Sequence, residues 1–440
     1  MPPIRTLLSP LLVAALAGGC LVGGGSDPTS ALRTDGATAP APTTTATTVP
    51  AGTATTTASS APGSTTSSTT AAPTAPAAST TTVAPAPSST TTTIPPVARH
   101  TGVQDGAGRP VWAPVVDATG ATDVSAAMAA FLAAVPDGAT IDLQPGGRYR
   151  MESTLVISGR RDLTVRGNGA TFVATTTGDL MRASVRIAHS HGITLRDLAI
   201  VGANPTAGAK DRIFRPELAG QHGVDLNSAT QVSLIGLTIT DVYGDFVYVG
   251  QRDGGPPSDG VLVQRGTFAR SGRQGVTFTS ARNVVVEHST ISEAKRSTFD
   301  FEPGRGAGLS VSHVTIRGNR VERGPLLFVA AEGHGPVDHV TIEGNQLTGM
   351  TMGIAMEDLD GGVRRDWKVL DNTADMRSGN PHGATMRFVR IDGLVVRGNH
   401  QPMKPDRNMV GVGATSSCNL SVHSNTFPDS VGQLRAVGTC

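Results

Sequence analysis

Two carboxylates separated by one residue are the strongest candidates for chemistry in this sequence. Asp300 and Glu302 alternate with Phe299 and Phe301 within residues 298–302. An extended strand therefore places both acids on one face, about 7 Å apart along the strand. That separation suits an acid and a base or nucleophile in glycoside hydrolysis, and like-charge repulsion raises the pKa of one member of such a pair. The alternative is an ordinary solvated pair of acids on a sheet face.

The same alternation places further polar side chains outward, between inward apolar ones: Asp225, Asn227, Tyr248, Thr277, Glu357 and Arg387. Among them, Asp225, Tyr248, Glu357 and Arg387 are expected to contact a ligand. Asp245 has two interpretations, a further acid of the same groove or a turn residue that caps a strand. His222 likewise either lines the groove or lies on a surface turn.

The sequence offers one further candidate site and excludes several other kinds. Glu357, Asp358 and Asp360 form an acidic cluster that is either a Ca²⁺ or sugar site or a plain acidic loop. No metal-ligand spacing, Gly-rich phosphate loop, Ser-His-Asp order or nucleophilic Cys supports another enzyme class. With 36 Lys and Arg against 35 Asp and Glu, the net charge is +1. This balance leaves no basic excess for nucleic acid, which is excluded as a partner.

A repeated phrase must position these residues. Residues 163–168, 314–319, 340–345 and 394–399 each alternate apolar and polar residues and end in Gly-Asn, and looser copies lie between and beyond them. The third apolar position of each copy falls at 165, 195, 234, 263, 286, 316, 342, 369, 396 and 422. Short strands recurring at such intervals, with no helical stretch between them, predict the coils of a parallel β-solenoid.

One feature of the repeat predicts a structural role, and another predicts where a groove lies. Asparagines recur at one turn, where their stacked side chains are expected to bond along the solenoid: Asn168, Asn319, Asn345, Asn372, Asn399 and Asn425. The longest interval, between positions 195 and 234, contains residues 204–221, and the next contains residues 251–258. These insertions are expected to form the walls of a groove on one face of the solenoid.

An amphipathic segment precedes the coils. Residues 122–135 begin with an Asp or Ser cap and have helical apolar spacing. A helix here would close the open end of the solenoid. With the following Pro-Gly and Tyr149 segment, the pattern resembles the pectin-lyase-like superfamily over residues 115–440. This resemblance implies an all-β, right-handed parallel β-helix with an N-terminal cap helix.

The resemblance also implies an activity. Residues 271–275 and 298–303 resemble a pairing found in polysaccharide-active β-helix proteins, which places Arg273 and Gln274 in the same groove. The expected function is a polysaccharide hydrolase, with Asp300 and Glu302 as acid and base. A lyase is also open, with Arg273 as base and acids or Ca²⁺ neutralising a uronate; otherwise no cofactor is expected. The alternative is a non-catalytic surface carbohydrate-binding protein or adhesin.

Two further features of the sequence bear on this expectation. Gly333-His-Gly335 looks like a motif of polygalacturonase-type glycosidases, but its companion motifs are missing here, so a turn is expected. Aromatic side chains are scarce, and the candidates for stacking on sugar are Tyr248, Phe328 and Trp367.

The N-terminal residues predict export. Residues 1–20 combine Arg5 with a short apolar run and read as a signal peptide. The small residues before Cys20 resemble the lipobox of bacterial lipoproteins, which implies lipidation of Cys20 and membrane attachment; the alternative is ordinary cleavage nearby. Residues 21–98 are a Thr-, Ser-, Ala- and Pro-rich linker, uncharged from 36 onward and expected to be disordered. The folded domain is expected at 99–440, extracellular and monomeric, with a Cys418–Cys440 disulfide.

Overall fold

The computed structural model describes residues 97–438, except 208–213, 253, 307–308, 326, 358–363, 376–383, 403–409 and 429. The predicted signal peptide, Cys20 and almost all of the predicted linker lie outside the described residues, as does Cys440. Lipidation of Cys20 and the Cys418–Cys440 disulfide therefore stay predictions.

Thirteen strands form the first sheet, and all pair in parallel except the first two, which are antiparallel. The strands are Ala98–Gln104, Pro110–Pro114, Thr140–Asp142, Thr164–Arg166, Thr194–Arg196, Thr230–Ile235, Ser258–Gln264, Ala281–Glu287, Val311–Arg317, Val337–Glu343, Arg364–Leu370, Ile391–Arg397 and Cys418–His423.

The register of this sheet confirms the repeat read from the sequence. Position 165 pairs with 195, 195 with 234, and so on through 263, 286, 316, 342, 369, 396 and 422. One apolar position of every copy thus stacks on the same position of the next coil. Uneven intervals do not disturb the register because the extra residues lie between the strands.

The other two faces of the solenoid are also parallel sheets. The second sheet contains Thr119–Asp123, Arg148–Arg150, Thr171–Val173, Ala199–Val201, Thr238–Val242, Thr267–Ser271, Thr290–Ser292, Arg320–Glu322, Gln346–Thr348 and Thr373–Ala374. The third sheet contains Leu155–Ser158, Val185–Ala188, Val224–Asn227, Val247–Gly250, Val276–Phe278, Ser297–Phe301, Leu327–Ala331, Ile354–Met356, Ala384–Val389, Val410–Thr415 and Leu434–Val437. The described chain is thus an all-β parallel solenoid, as predicted.

Inward side chains of the three sheets form one continuous apolar core. It includes every residue that the alternation predicts inward on the third sheet: Val224, Leu226, Phe299, Phe301, Ile354 and Met356. Val, Ile, Leu and Phe dominate because β-branched and aromatic side chains pack well between stacked strands. Phe328 and Trp367 also lie in this core and are fully buried. The expectation that these two rings stack on sugar is therefore wrong.

One α-helix, Ser125–Ala134, lies at the N-terminal end of the described chain, within the predicted segment. Met128, Phe131 and Leu132 are buried in the core, so its apolar side covers the first coils. Asp123 accepts hydrogen bonds from the backbone N–H and the hydroxyl of Ser125, at 3.0 and 2.5 Å. These bonds satisfy a donor of the first turn. No helix among the described residues is long and apolar enough to span a membrane.

Five of the six predicted asparagines form a continuous ladder. The side-chain amide of Asn319 donates to Asn345, Asn345 to Asn372, Asn372 to Asn399, and Asn399 to Asn425, at 2.9–3.0 Å. The residue before each asparagine, such as Gly318 or Gly344, has a positive φ that turns the chain. Asn168 is exposed and outside the ladder, because it has a positive φ itself and bonds to Leu143 O.

Candidate active site

The strand Ser297–Phe301 places the predicted acid pair on the outer face of the third sheet. Phe299 and Phe301 enter the core, so Asp300 and Glu302 point the other way, as predicted. Asp300 is paired in register with Thr277 on the preceding coil and Ala330 on the following one. The predicted face therefore exists, and each coil supplies one position in register with Asp300.

Arg273 joins two acids of this face. It lies between the strands Thr267–Ser271 and Val276–Phe278, and its side chain is 2% exposed. Nη1 donates to Asp245 Oδ2 at 2.9 Å, and Nη2 donates to Glu302 Oε2. A buried guanidinium that serves two carboxylates is held as a cation, because deprotonation would leave both acids without a partner.

Gln274, the residue after Arg273, hydrogen-bonds to two acids of this face, Asp245 and Asp300. Its backbone N–H donates to Asp245 Oδ1 at 2.9 Å, and its side-chain Nε2 donates to Asp300 Oδ2 at 2.7 Å. Its Oε1 accepts from the backbone and the hydroxyl of Ser297, at 2.8 and 2.6 Å. All three polar groups are thus engaged, so Gln274 holds Asp245 and Asp300 at fixed positions.

Glycines permit this close approach of neighbouring coils. A Cβ on Gly275 would collide with the carbonyl oxygen of Thr298, and one on Gly272 would collide with that of Tyr243. The segment 271–275 therefore needs glycine at both positions that flank Arg273 and Gln274.

Asp300 is enclosed, which the prediction of an outward-facing groove acid did not include and which rules out the alternative of a solvated acid. It faces outward from the core, yet its exposure is 0%. Burial, followed by repulsion from Glu302 and then Glu332, raises its pKa well above the ordinary value. Its Oδ1 has no hydrogen-bond partner among the described residues. Alternation therefore predicted the direction of this side chain correctly but not its environment.

Glu332 is a functional candidate that the sequence analysis missed. Phe301 pairs with Ala331, and the backbone N–H of Glu332 donates to Phe301 O at 3.1 Å, so Glu332 lies beside Glu302 on the next coil. Arg296 Nη2 lies 3.5 Å from Glu332 Oε2, and the side chain of Glu332 is 20% exposed. Burial raises the pKa of Glu332; Arg296 opposes the shift, and Glu302 and Glu357 add to it.

Glu357 lies in line with Glu302 and Glu332, one coil further along the solenoid. Its backbone N–H donates to Ala331 O at 3.1 Å, which places it beside Glu332 on the following coil. Glu302, Glu332 and Glu357 are referred to below as the carboxylate column. The neighbouring strands that these residues follow are about 4.8 Å apart. Asp358 and Asp360, the rest of the predicted acidic cluster, lie outside the described residues.

Among the residues that the structure describes, no group of three or more His, Cys, Asp or Glu side chains could hold a metal ion. The carboxylate column has instead two arginines as its counter-charges, Arg273 on Glu302 and Arg296 on Glu332. The arrangement gives neighbouring carboxyl groups different environments. Such a difference separates the roles of proton donor and carboxylate.

A family model described as the right handed beta helix region matches residues 220–434. This span contains the third-sheet strands that carry Asp300 and the carboxylate column. The match identifies this part of the chain as a right-handed β-helix.

No curated protein sequence matches this β-helix protein. The endo-xylogalacturonan hydrolase of Aspergillus tubingensis is similar in structure, with a TM-score of 0.50 and 14% identity over 74% of this chain and 93% of that one. The Streptococcus pneumoniae surface protein and adhesin PfbA is similar to the same degree, with a TM-score of 0.50 and 11% identity over 73% and 97%. At these identities the likeness extends to the fold of the β-helix and no further.

Asp245 and His222 form a buried pair in the β-helix. The backbone N–H of Asp245 donates to His222 Nδ1 at 3.0 Å, and the imidazole stacks on Tyr248 with 4.7 Å between ring centroids. Burial lowers the pKa of His222 despite the nearby Asp245 carboxylate, so the ring is neutral. His222 is only 2% exposed and is not on a surface turn. Asp245 is a buried acid that holds Arg273 and Gln274.

The other predicted ligand residues lie along the same outer face. Asp225 is fully buried and accepts from Arg186, Arg252 and Asn227, at 2.7, 3.2 and 2.6 Å. It thereby anchors Arg252 of the insertion 251–258. Tyr248 is half-buried, pairs with Asp225 and Thr277, and accepts a hydrogen bond from Thr279.

Arg387 lies on the same outer face, three coils beyond Asp300. Ala330 and Ala355 separate it from Asp300, one residue per coil, and it is half-buried. The structure therefore brings Asp245, Arg273, Gln274, Asp300, Glu302 and Glu357 into one cluster, whereas Asp225 and Arg387 lie several coils away on either side.

Gly333-His-Gly335 forms the turn that was expected of it. It follows the strand Leu327–Ala331 and precedes Val337–Glu343. A Cβ on Gly333 would collide with Pro303, and one on Gly335 with the carbonyl oxygen of Leu309. The two glycines thus allow adjacent coils to approach next to the carboxylate column.

Proposed function

We propose that this β-helix protein hydrolyses an extracellular polysaccharide at the carboxylate column. The observation that carries the proposal is the unequal pair of Glu302 and Glu332. Glu302 is ion-paired with Arg273, whereas burial raises the pKa of Glu332. Two neighbouring carboxyl groups in unequal electrostatic environments are what acid-assisted cleavage of a glycosidic bond needs.

The assignment modifies the acid pair expected from the sequence. Both Glu302 and Glu332 are about one-fifth exposed, so a ligand reaches them, whereas Asp300 is enclosed. We therefore assign the proton-donor role to Glu332 and the role of reacting carboxylate to Glu302. Asp300 is assigned a positioning role through Gln274.

The proposed reaction consumes one water per bond. Glu332 donates its proton to the glycosidic oxygen as the bond to the anomeric carbon breaks, and the Glu302 carboxylate bonds to that carbon. Water then displaces Glu302 and returns its proton to Glu332. The backbones of Glu302 and Glu332 are one strand spacing apart, about 4.8 Å, which permits the carboxyl separation of about 5 Å that retaining hydrolases use. The proposal therefore includes retention of the anomeric configuration.

The charges at the site favour hydrolysis over elimination. Elimination from a uronate needs a cation beside the substrate carboxylate and a base to take the α-proton. Arg273, the base expected in that case, already donates to Asp245 and Glu302. Arg296 is paired with Glu332. The acidic column would also repel a uronate.

The N-terminal residues belong to the same proposal. Residues 1–20 export the protein, Cys20 carries a lipid that holds it at the membrane, and residues 21–98 extend the β-helix away from it. A Cys418–Cys440 disulfide would tie the last strand of the first sheet to the C-terminus. Metabolic labelling with a fatty acid tests the anchor: Cys20→Ser should abolish the label, and an unchanged label contradicts lipidation.

A polysaccharide panel tests the activity. The full chain with Cys20→Ser is incubated with neutral, uronic acid and amino-sugar polymers. New reducing ends, the ultraviolet absorbance of unsaturated uronates and retention in polysaccharide-containing gels are measured. Hydrolysis predicts reducing ends without the absorbance. Reducing ends with the absorbance would show elimination, and retention without cleavage would favour a binding protein or adhesin.

A further inference from the structure

A second cleft opens at a different part of the β-helix, with a volume of about 340 Å³. Three successive turns that lead from the third sheet to the first sheet line it, residues 159–161, 189–191 and 228–230, together with Pro256. It lies on earlier coils than the carboxylate column. No residue of that column lines it.

The walls of the cleft are built by pairing between the turns. Arg161 pairs with His191, and His191 with Thr230, as single parallel bridges. Ser190 is buried, accepts from the backbone N–H of Arg160 at 3.0 Å and donates to Ala188 O at 2.8 Å. The turns are therefore held in place by the solenoid itself, as a preformed site requires.

The charged side chains of the lining are all basic. Arg160 is fixed, because it donates to Asp137 at 2.7 Å and to the carbonyl oxygens of Leu132 and Val135. Arg161 is exposed and forms no salt bridge with another described residue. A guanidinium presents several donors to a planar or tetrahedral oxyanion.

Imidazole and hydroxyl groups accompany these cations. His189 and His191 are exposed in the lining, and His191 Nδ1 lies 2.9 Å from Thr230 Oγ1, which leaves Nε2 for a ligand. The Ser228 hydroxyl is buried and has no hydrogen-bond partner among the described residues. A Cβ on Gly255 would collide with this hydroxyl, which therefore lies against the insertion 251–258.

We propose that this cleft binds an oxyanion, a sulfate, phosphate or carboxylate group, with Arg161 as the principal cation and His191 as a second donor. The volume accommodates a sugar-sized ligand that carries the anionic group. The site is independent of the proposed hydrolysis, because its charge is opposite to that of the carboxylate column and none of its residues takes part there.

Calorimetric titration of the full chain with Cys20→Ser tests the proposal. The ligands are inorganic sulfate, inorganic phosphate, glucuronate and glucose 6-sulfate, with glucose as the uncharged comparison, at constant ionic strength because salt screens such binding. We expect saturable binding of at least one oxyanion and none of glucose. Tighter binding of the sugar-borne anions than of the inorganic ions identifies a charged sugar as the ligand, and the reverse order identifies a free anion.

Variants make the test specific to the cleft. Arg161→Gln should weaken anion binding at least about tenfold, the loss expected when a charged hydrogen bond is removed, and His191→Gln should weaken it less. Arg196→Gln is the control, since Arg196 is an exposed arginine of the first sheet paired with Asp197 outside the cleft. Equal binding by wild type and Arg161→Gln would overturn the proposal, as would the lack of saturable binding of all four anions.

Discussion

Arg273 donates a hydrogen bond to Glu302 across two successive coils of the β-helix. The same guanidinium donates to Asp245 on the coil before. One buried cation therefore connects three coils at the centre of the candidate site. It thereby fixes the position of Glu302 beside Glu332, whose pKa burial raises.

Removal of this cation should destabilise the fold. Arg273→Gln leaves two carboxylates without their partner, and breaking a buried ion pair costs about 3–5 kcal/mol. Arg282→Gln is the matched control, because Arg282 is exposed and its pair with Asp259 is worth about 0–1 kcal/mol. Urea unfolding measures both free energies of unfolding. Equal stabilities of the two variants would show that the bridge does not hold the coils.

Replacement of Asp300 should change how stability depends on pH. The pKa of Asp300 is raised in the folded protein, so between its unfolded value of about 3.9 and the raised value the folded state binds more protons. This group therefore makes wild-type stability fall as pH rises through that window. Asp300→Asn removes the contribution, so the variant should gain stability relative to wild type as pH increases. Urea unfolding across this window measures the difference, and parallel pH profiles would contradict the assignment.

Glu332 should determine how turnover falls at high pH. A general acid must be protonated, so turnover falls as pH rises through its raised pKa. Glu332→Gln should lower turnover at least about 10²-fold and remove that fall. The loss should be much smaller on an aryl glycoside with an acidic phenol, which leaves without a proton. Glu322→Gln is the control, since Glu322 pairs with Arg320 on the second sheet; an equal loss in this variant would refute the specific role.

The middle of the asparagine ladder should matter more than its end. Asn372 is fully buried, accepts from Asn345 and donates to Asn399 and to Ile342 O. Asn372→Ala leaves several buried groups unpaired, which costs about 1–3 kcal/mol for each. Asn425→Ala, at the less buried end, should cost less. Thermal or urea unfolding ranks the two variants, and the opposite order would contradict a cooperative ladder.

The fold was accessible from the sequence because its signals are local. Alternation placed Phe299 and Phe301 in the core and turned Asp300 and Glu302 away from it. The recurring third apolar position predicted the register of the first sheet, from Val165 to Val422. Each depends only on the period of the strand and of the repeat.

The site was accessible only in part, because it depends on long-range packing. The resemblance placed Arg273 and Gln274 in the same groove, but nothing near Asp300 in sequence indicates that its outer face is covered or that Gln274 bonds to it from another coil. Glu332 had a usable signal, since it occupies the position in its coil that Glu302 and Glu357 occupy in theirs. The strand that precedes it, Leu327–Ala331, lacks the polar alternation of its neighbours and therefore does not point to Glu332.

The stereochemistry of cleavage tests the geometric part of the account. Nuclear magnetic resonance of the first product distinguishes the two anomers before they interconvert. Glu302 and Glu332 on neighbouring strands predict retention, whereas the wider spacing of Asp300 and Glu302, about 7 Å along one strand, would give inversion. An inverted first product would return the acid role to Asp300.

The release of reducing ends by wild type and by Glu332→Gln is the most direct test of the central claim. On the polysaccharide that the wild-type protein degrades, the account predicts new reducing ends from wild type and from the Glu322→Gln control. Glu332→Gln should produce at least about 10²-fold fewer at an unchanged melting temperature. Full activity of Glu332→Gln, or binding of polysaccharides by wild type without cleavage of any of them, would contradict it.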